Sequence, residues 1–219
     1  MKKLSLFHSA KLYPILDLDF CKNKNISLFE LIQLWNQFPD CISFFQLRAK
    51  SISQSEYKNL YLELKKDFPS AEIIVNDFWE IALEVNAFGI HIGKEDYETL
   101  SKPNRTRLKK ANDLIKGTSS HSLLDLENLE LDLWDYSGFG PIFETTSKKT
   151  NNPTLGIRNL TQAIREAKLP LVPIGGIDRE NFSSLYGFGK ITPASISMMA
   201  NEKSLVKIVD FIRKHPHPV

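Results

Sequence analysis

Eight times in succession the chain sets a short run rich in β-branched and aromatic residues ahead of a longer stretch with helical spacing. No linker separates the units. Strands that alternate with helical segments point to βα units and a parallel sheet, because parallel neighbours need a long crossover that a helix supplies. The first four units are KLYPILDL (11–18) before SLFELIQLWNQF (27–38), CISFFQLRA (41–49) before SQSEYKNLYLELKKDF (53–68), AEIIVND (71–77) before FWEIALEVN, and FGIHIG (88–93) before a basic helical stretch ending near Asn112. LIKGTSSH (114–121) then precedes SLLDLENLEL, DYSGFGPIF (135–143) precedes IRNLTQAIREA (157–167), LPLVPIGGI (169–177) precedes DRENFSSLYG, and KITPASISM (190–198) precedes EKSLVKIVDFIRKH. Ser53 is predicted to cap the second helix, with Glu56 in its first turn. A doubly wound open sheet usually has fewer strands and a Gly-rich turn after the first, and no G-x-G-x-x-G follows residues 11–18. The expectation is an α/β chain forming a single (β/α)8 TIM barrel, with residues 1–219 as one domain.

Charge narrows the range of partners. The 28 basic and 26 acidic residues leave a net charge of +2, too balanced for a nucleic-acid or membrane-surface partner. Any anion must therefore be held by locally placed cations. Cys21 and Cys41 form no CxxC and are too few for a disulfide framework, so both are expected as free thiols in a reducing compartment. MKKLSLFH lacks the apolar stretch of a secretory signal, and no run approaches the ~18 apolar residues of a membrane span. A soluble, cytoplasmic protein is expected, with a homo-oligomer left open.

In a TIM barrel the functional groups come from the C-terminal ends of the strands and the loops that follow. Polar residues gather at those positions: Asp17, then Gln46, Arg48 and Lys50, Asn76–Asp77, Asp96, Ser119–His121, Gly140 to Lys149, Gly175–Gly176 and Ser197. Gln46, Arg48 and Lys50 alternate, so on a strand they share one face and could hold an anion; a solvated strand end is the plainer reading. Asp77 and Asp96 offer oxygen ligands suited to Mg2+, although Asp77 could equally be the N-cap of the next helix. Gly175–Gly176, followed by a helix expected to begin at once, would leave backbone N–H groups open to a phosphate; alternatively the pair only permits a tight turn. His121 is either an acid–base group or a structural histidine. His91 falls inside the fourth apolar run and is expected to be buried. Met198 and Met199 read as packing residues.

On these residues the sequence resembles the thiamine-phosphate synthase family, also called thiamine-phosphate pyrophosphorylase. The resemblance runs from LYPILD at residue 12 to about Met199. It is carried in order by QLRAK, VNDFWEIALEVNAFGIHIGKED, KGTSSHS, DYSGFGPIFETTSKKTNNPTLG, LPLVPIGGI and a closing AS-I-S-M. It implies an enzyme that couples hydroxymethyl-pyrimidine diphosphate to thiazole phosphate or its carboxylated form, releasing pyrophosphate. Gln46, Arg48, Lys50 and Asn76 would hold the diphosphate substrate, and Asp77 and Asp96 a Mg2+ ion on it. Ser119 would lie beside the pyrimidine. Thr145, Ser147 and Lys148 match a loop that closes over the substrates, while Gly176, Ile196 and Ser197 match the thiazole-phosphate site. Arg48, Lys50, Ser119 and Lys148 form the expected catalytic set.

Some positions depart from the family pattern. Lys94 replaces a usual Gln beside Asp96, where its ammonium would aid diphosphate binding or compete with the metal. Glu144 replaces a Pro, Ser147 a Thr, and Thr192–Pro193 a Gly–Val pair, so the eighth strand is expected to be bulged or distorted. Two other functions fit less of the pattern. A thiazole tautomerase-like isomerase would use His121 but has no need of Arg48, Lys50, the aspartates and Lys148 together. A non-catalytic protein that binds a thiamine precursor would keep the pocket without turnover.

Overall fold

Ser53 illustrates how locally the helices are encoded. Its hydroxyl accepts from the Glu56 N–H while the Glu56 carboxylate accepts from the Ser53 N–H at 2.8 Å, a complete capping box. The helix it starts follows as predicted. The architecture comes from a computed structural model, which describes residues 2–145, 153–186 and 191–215.

Elements run in the order α1 (Lys2–Ser9), β1 (Tyr13–Asp17), α2 (Leu18–Lys24), α3 (Leu28–Trp35), β2 (Phe45–Arg48), α4 (Gln54–Asp67), β3 (Ile73–Asn76) and α5 (Trp79–Glu84). Then come β4 (Gly89–Ile92), α6 (Lys94–Thr99), α7 (Lys102–Lys109), β5 (Ile115–Ser120), α8 (Leu123–Glu127) and β6 (Tyr136–Phe139). The chain finishes with α9 (Gly156–Glu166), β7 (Leu171–Pro173), α10 (Phe182–Tyr186), β8 (Ala194–Ser195) and α11 (Glu202–Lys214). All eight strands are parallel, in the order β7-β6-β5-β4-β3-β2-β1-β8. Isolated bridges Leu171↔Ile191 and Ile174↔Ala194 link β7 to the β8 segment and nearly close the sheet into the expected barrel. The eighth strand is cut short where Pro193 removes a ladder donor; its carbonyl still accepts from Tyr13 N–H at 3.0 Å.

Strand alternation divides the apolar residues into two sets. Leu12, Leu16, Leu47, Val75 and Ile90 pack between sheet and helices, whereas Tyr13, Ile15, Phe44, Ile74, Ile115, Tyr136 and Val172 fill the lumen. The lumen face of β1 ends in Asp17, that of β2 in Gln46 and Arg48, that of β3 in Asn76.

Two helices were not anticipated. In α1, Phe7 enters the barrel bottom and stacks on Phe44 and Tyr136, with ring centroids 5.0 and 4.6 Å apart. Lys3 anchors that helix by donating to the carbonyls of Ala87 and Asp113, each at 2.7 Å. The second, α2, starts directly from β1 because Asp17 caps it, accepting from Phe20 N–H at 2.8 Å. Cys21 and Cys41 are free and buried, and burial pushes both thiols up to about 11. Among the described residues no helix is long and apolar enough to cross a membrane.

Candidate active site

The lumen faces open at the C-terminal end of the strands into one pocket. Gln46, Arg48, Asn76, Ser119, Thr145, Gly176, Ile196 and Ser197 all line it. Ser147 and Lys148 lie outside the described residues.

Arg48 is held by Asp17, its register partner on the neighbouring strand. Asp17 is almost fully buried, so its carboxylate serves Arg48 and the first turn of α2 at once. The Asn76 backbone is fixed from behind by Tyr57. That hydroxyl donates to Leu47 O at 2.6 Å and accepts from Asn76 N–H at 3.2 Å, bracing β2 against β3.

Lys50 departs from the predicted shared face, because β2 ends at Arg48. From the turn beyond, its ammonium lies 2.9 Å from an Asp77 carboxylate oxygen and 3.8 Å from one of Asp96. Asp77 is not an N-cap. The cap of α5 is Phe78, without a side-chain bond, and Asp77 itself sits in the left-handed region at φ 64°. Such a conformation costs a non-glycine residue about 1–3 kcal/mol and persists only where the surroundings impose it. Here the Asp77 N–H donates to His91 O at 2.9 Å, and the carboxylate is left for Lys50. Asp96 belongs to the first turn of α6 rather than to a strand end. Two carboxylates that converge on one cation are hard oxygen donors of the kind Mg2+ takes when it keeps waters and binds phosphate. Among the described residues no group of three or more His, Cys, Asp or Glu gathers as an all-protein metal cage. Asp77 and Asp96 supply two donors of the oxygen type that Mg2+ takes.

Lys94 does not join this cluster. Its ammonium pairs with Asp125 at 2.7 Å, and Asp125 also accepts from His121 N–H at 2.7 Å, tying α6 to the start of α8. Opposite, Gly175 and Gly176 have φ of 97° and 64°. A Cβ on Gly176 would fall 2.2 Å from the Glu144 carbonyl oxygen, so both conformation and space demand glycine there. The helix after this pair does not begin at once. An Asp178–Asn181 turn intervenes and α10 starts at Phe182, so the backbone after the glycine pair is loop rather than a helix N-terminus.

A family model described as thiamine monophosphate synthase matches residues 12–199. The chain belongs to this family. It is 33% identical over 178 residues to the thiamine-phosphate synthase of Lactococcus lactis subsp. cremoris (strain MG1363), covering 79% of this chain and 80% of that one. Identity to the thiamine-phosphate synthase of Chlorobium phaeobacteroides (strain DSM 266 / SMG 266 / 2430) is 35% over 157 residues, covering 71% and 73%. The solved thiamine phosphate pyrophosphorylase from Pyrococcus furiosus shares the fold, with a TM-score of 0.73 at 24% identity, covering 94% of this chain and 97% of that one.

In this member of the thiamine monophosphate synthase family two histidines face the pocket. His121 bonds through Nδ1 to the Gly140 carbonyl at 2.7 Å, so Nδ1 carries the proton and the ring is held against β6. His91 was expected inside the core. It is half-buried instead and hydrogen-bonded to Tyr136 and Ser119, each at 3.1 Å. The alternation of β4 contained the signal, since a residue two beyond Gly89 returns to the lumen face.

Proposed function

We propose that this chain is a thiamine-phosphate synthase, a transferase of thiamine biosynthesis that joins hydroxymethyl-pyrimidine diphosphate to thiazole phosphate and releases pyrophosphate. The observation that carries this reading is one pocket lined by Gln46, Arg48, Asn76 and Ser119 on one side and by Gly176, Ile196 and Ser197 on the other. The first group, with Lys50 at its rim, suits a diphosphate. The second suits a phosphate monoester held by backbone and hydroxyl groups.

The chemistry asks for charge stabilisation rather than a protein nucleophile. The bond from the pyrimidine methylene carbon to the diphosphate oxygen breaks, and its electron pair leaves with pyrophosphate. The thiazole nitrogen then donates its lone pair to that carbon, giving thiamine phosphate. Arg48, Lys50 and Lys148 neutralise charge developing on the leaving group, where preorganised donors are worth most. Mg2+ held by Asp77 and Asp96 would add to that neutralisation. Gln46 and Asn76 orient the pyrimidine diphosphate. The aromatic lumen beneath, with Thr145 at the pocket wall, limits water around the reacting methylene carbon. An isomerase built on His121 would leave the Arg48 and Lys50 clusters without a task. The small-molecule substrates and the cytoplasm as the compartment follow from this activity.

The test mixes purified protein with both substrates and Mg2+ and follows thiamine phosphate by fluorescence after oxidation to thiochrome. Product is expected, lost on adding EDTA and restored by excess Mg2+. No product, beside an active synthase as control, would transfer the assignment to the tautomerase or the precursor-binding protein.

A further inference from the structure

Five polar side chains from five strands meet end to end inside the barrel. Gln46 Nε2 lies 2.9 Å from the Tyr13 hydroxyl, and that hydroxyl 2.7 Å from the Tyr136 hydroxyl. Tyr136 lies 3.1 Å from His91 Nδ1, and His91 Nε2 lies 3.1 Å from Ser119 Oγ. Gln46 belongs to β2, Tyr13 to β1, Tyr136 to β6, His91 to β4 and Ser119 to β5, so the series crosses the lumen rather than following one sheet edge. Tyr13, Gln46 and Tyr136 are 1%, 4% and 0% exposed, so the first links lie at the nearly buried floor of the pocket. Gly117 makes the crossing sterically feasible: a Cβ there would lie 2.0 Å from Tyr136 Cζ.

The inventory of protons gives the series a direction. An amide nitrogen donates and cannot accept, so Tyr13 Oη accepts from Gln46. The single Tyr13 proton then goes to Tyr136, and the single Tyr136 proton to His91 Nδ1. A neutral imidazole that accepts at Nδ1 carries its proton on Nε2 and donates it to Ser119 Oγ. Ser119 has then accepted, and its own proton remains for the pocket it lines. Reversing the Tyr13–Tyr136 link while Gln46 still donates would bring two donors to Tyr13 and leave its own buried proton without an acceptor, which disfavours the opposite direction.

We propose that Gln46, Tyr13, Tyr136 and His91 form a one-way hydrogen-bond chain that fixes Ser119 as a donor towards the substrate, with Tyr136 and His91 as positioning residues. The inference rests on the synthase reading for the identity of the acceptor, an oxygen of the departing diphosphate or a ring nitrogen of the pyrimidine. On a leaving oxygen such a donor grows in value as charge develops. The opposite polarity would give a different site, in which His91 Nε2 accepts from Ser119 and Ser119 can only accept from a ligand.

The deciding experiment is a long-range 15N–1H correlation spectrum of the whole protein with labelled histidine at neutral pH, the His91 signals being assigned by their loss in His91→Asn. The expected pattern is a protonated Nε2 and a bare Nδ1. A protonated Nδ1, an imidazolium or an even mixture of tautomers would overturn the proposal. The spectrum does not depend on turnover, so it stands apart from the thiochrome assay and a failure of either is recognised separately. Tyr136→Phe removes one link. It should abolish the tautomer preference and lower kcat about tenfold with both KM values kept, less than the 10²–10³ lost with a directly contacting donor. Unchanged kcat in a folded Tyr136→Phe protein would reject the positioning role. Should that variant not fold, the wild-type tautomer decides alone.

Discussion

Under the proposed function, the two sides of the pocket mouth would bind their anions in different ways. From β1 to β4 the groups are charged side chains, and each cation is already matched to a carboxylate: Arg48 to Asp17, Lys50 to Asp77 and Asp96. Around β7 and β8 the site is backbone and hydroxyl, built on the left-handed pair Gly175–Gly176 and on Ser197. Prior pairing keeps long cationic side chains in place before a substrate arrives, so less rotamer entropy is lost on binding. Backbone donors need no such restraint, because the fold has already fixed them. On that reading, the side that responds to charge moving during the reaction would use exchangeable ions, and the side that only holds a ligand would use fixed dipoles.

Removing Arg48 should break the charged side most severely. Arg48→Ala is expected to lower kcat/KM by about 10²–10³ through loss of charge stabilisation on the leaving group. The same change strands the buried Asp17 carboxylate, and breaking a buried pair from one side costs about 3–5 kcal/mol of stability. Adding Asp17→Asn should restore much of the urea midpoint without restoring turnover, which separates the two roles of Arg48. Near-normal turnover in Arg48→Ala would erase the distinction between the sides.

The glycine side should respond more narrowly. Gly176→Ala forces a Cβ against the Glu144 carbonyl and into a strained conformation. Loss of one charge-assisted backbone bond to phosphate, about 1.5 kcal/mol, would raise KM for the thiazole phosphate about tenfold. KM for the pyrimidine diphosphate should stay unchanged. A rise in both constants would mean that the two sides do not act independently.

How far the sequence revealed this arrangement depends on which interactions are local. The strand–helix alternation was readable because each unit carries its own period and caps, as Ser53 and Glu56 do. Pro193 announced a defective eighth strand through its missing donor. The helix α1 was opaque, since MKKLSLFH has too few residues for a clear period and the stacking of Phe7 on Phe44 and Tyr136 is set by the closed barrel. Gln46 and Arg48 were found because alternation places them on one face. Their partners were not, since matching Asp17 to Arg48 requires the β1–β2 register. The positive φ of Asp77 left no mark in a sequence where Asp is a common cap. His91 was misjudged because a histidine in an apolar run reads as core; the alternation of β4 places it on the lumen face, but its partners Tyr136 and Ser119 lie 45 and 28 residues away.

Lys94 gives the smallest effect and tests where the charged side ends. Its ion pair with Asp125 lies between two partly exposed groups, so Lys94→Gln should cost about 0.2–1 kcal/mol and leave kcat/KM within about twofold. Burial pushes the Asp125 carboxyl up, but hydrogen bonds from Lys94 and the His121 N–H outweigh it and hold the group below its usual range. A carboxyl held low in the folded state stabilises above its unfolded value of about 3.9, and that contribution disappears as pH falls through the lowered folded value. The difference in melting temperature between Lys94→Gln and the wild type should therefore be present at neutral pH and vanish once Asp125 is protonated in both. A large loss of turnover at neutral pH would instead bring Lys94 into the diphosphate site beside Asp96.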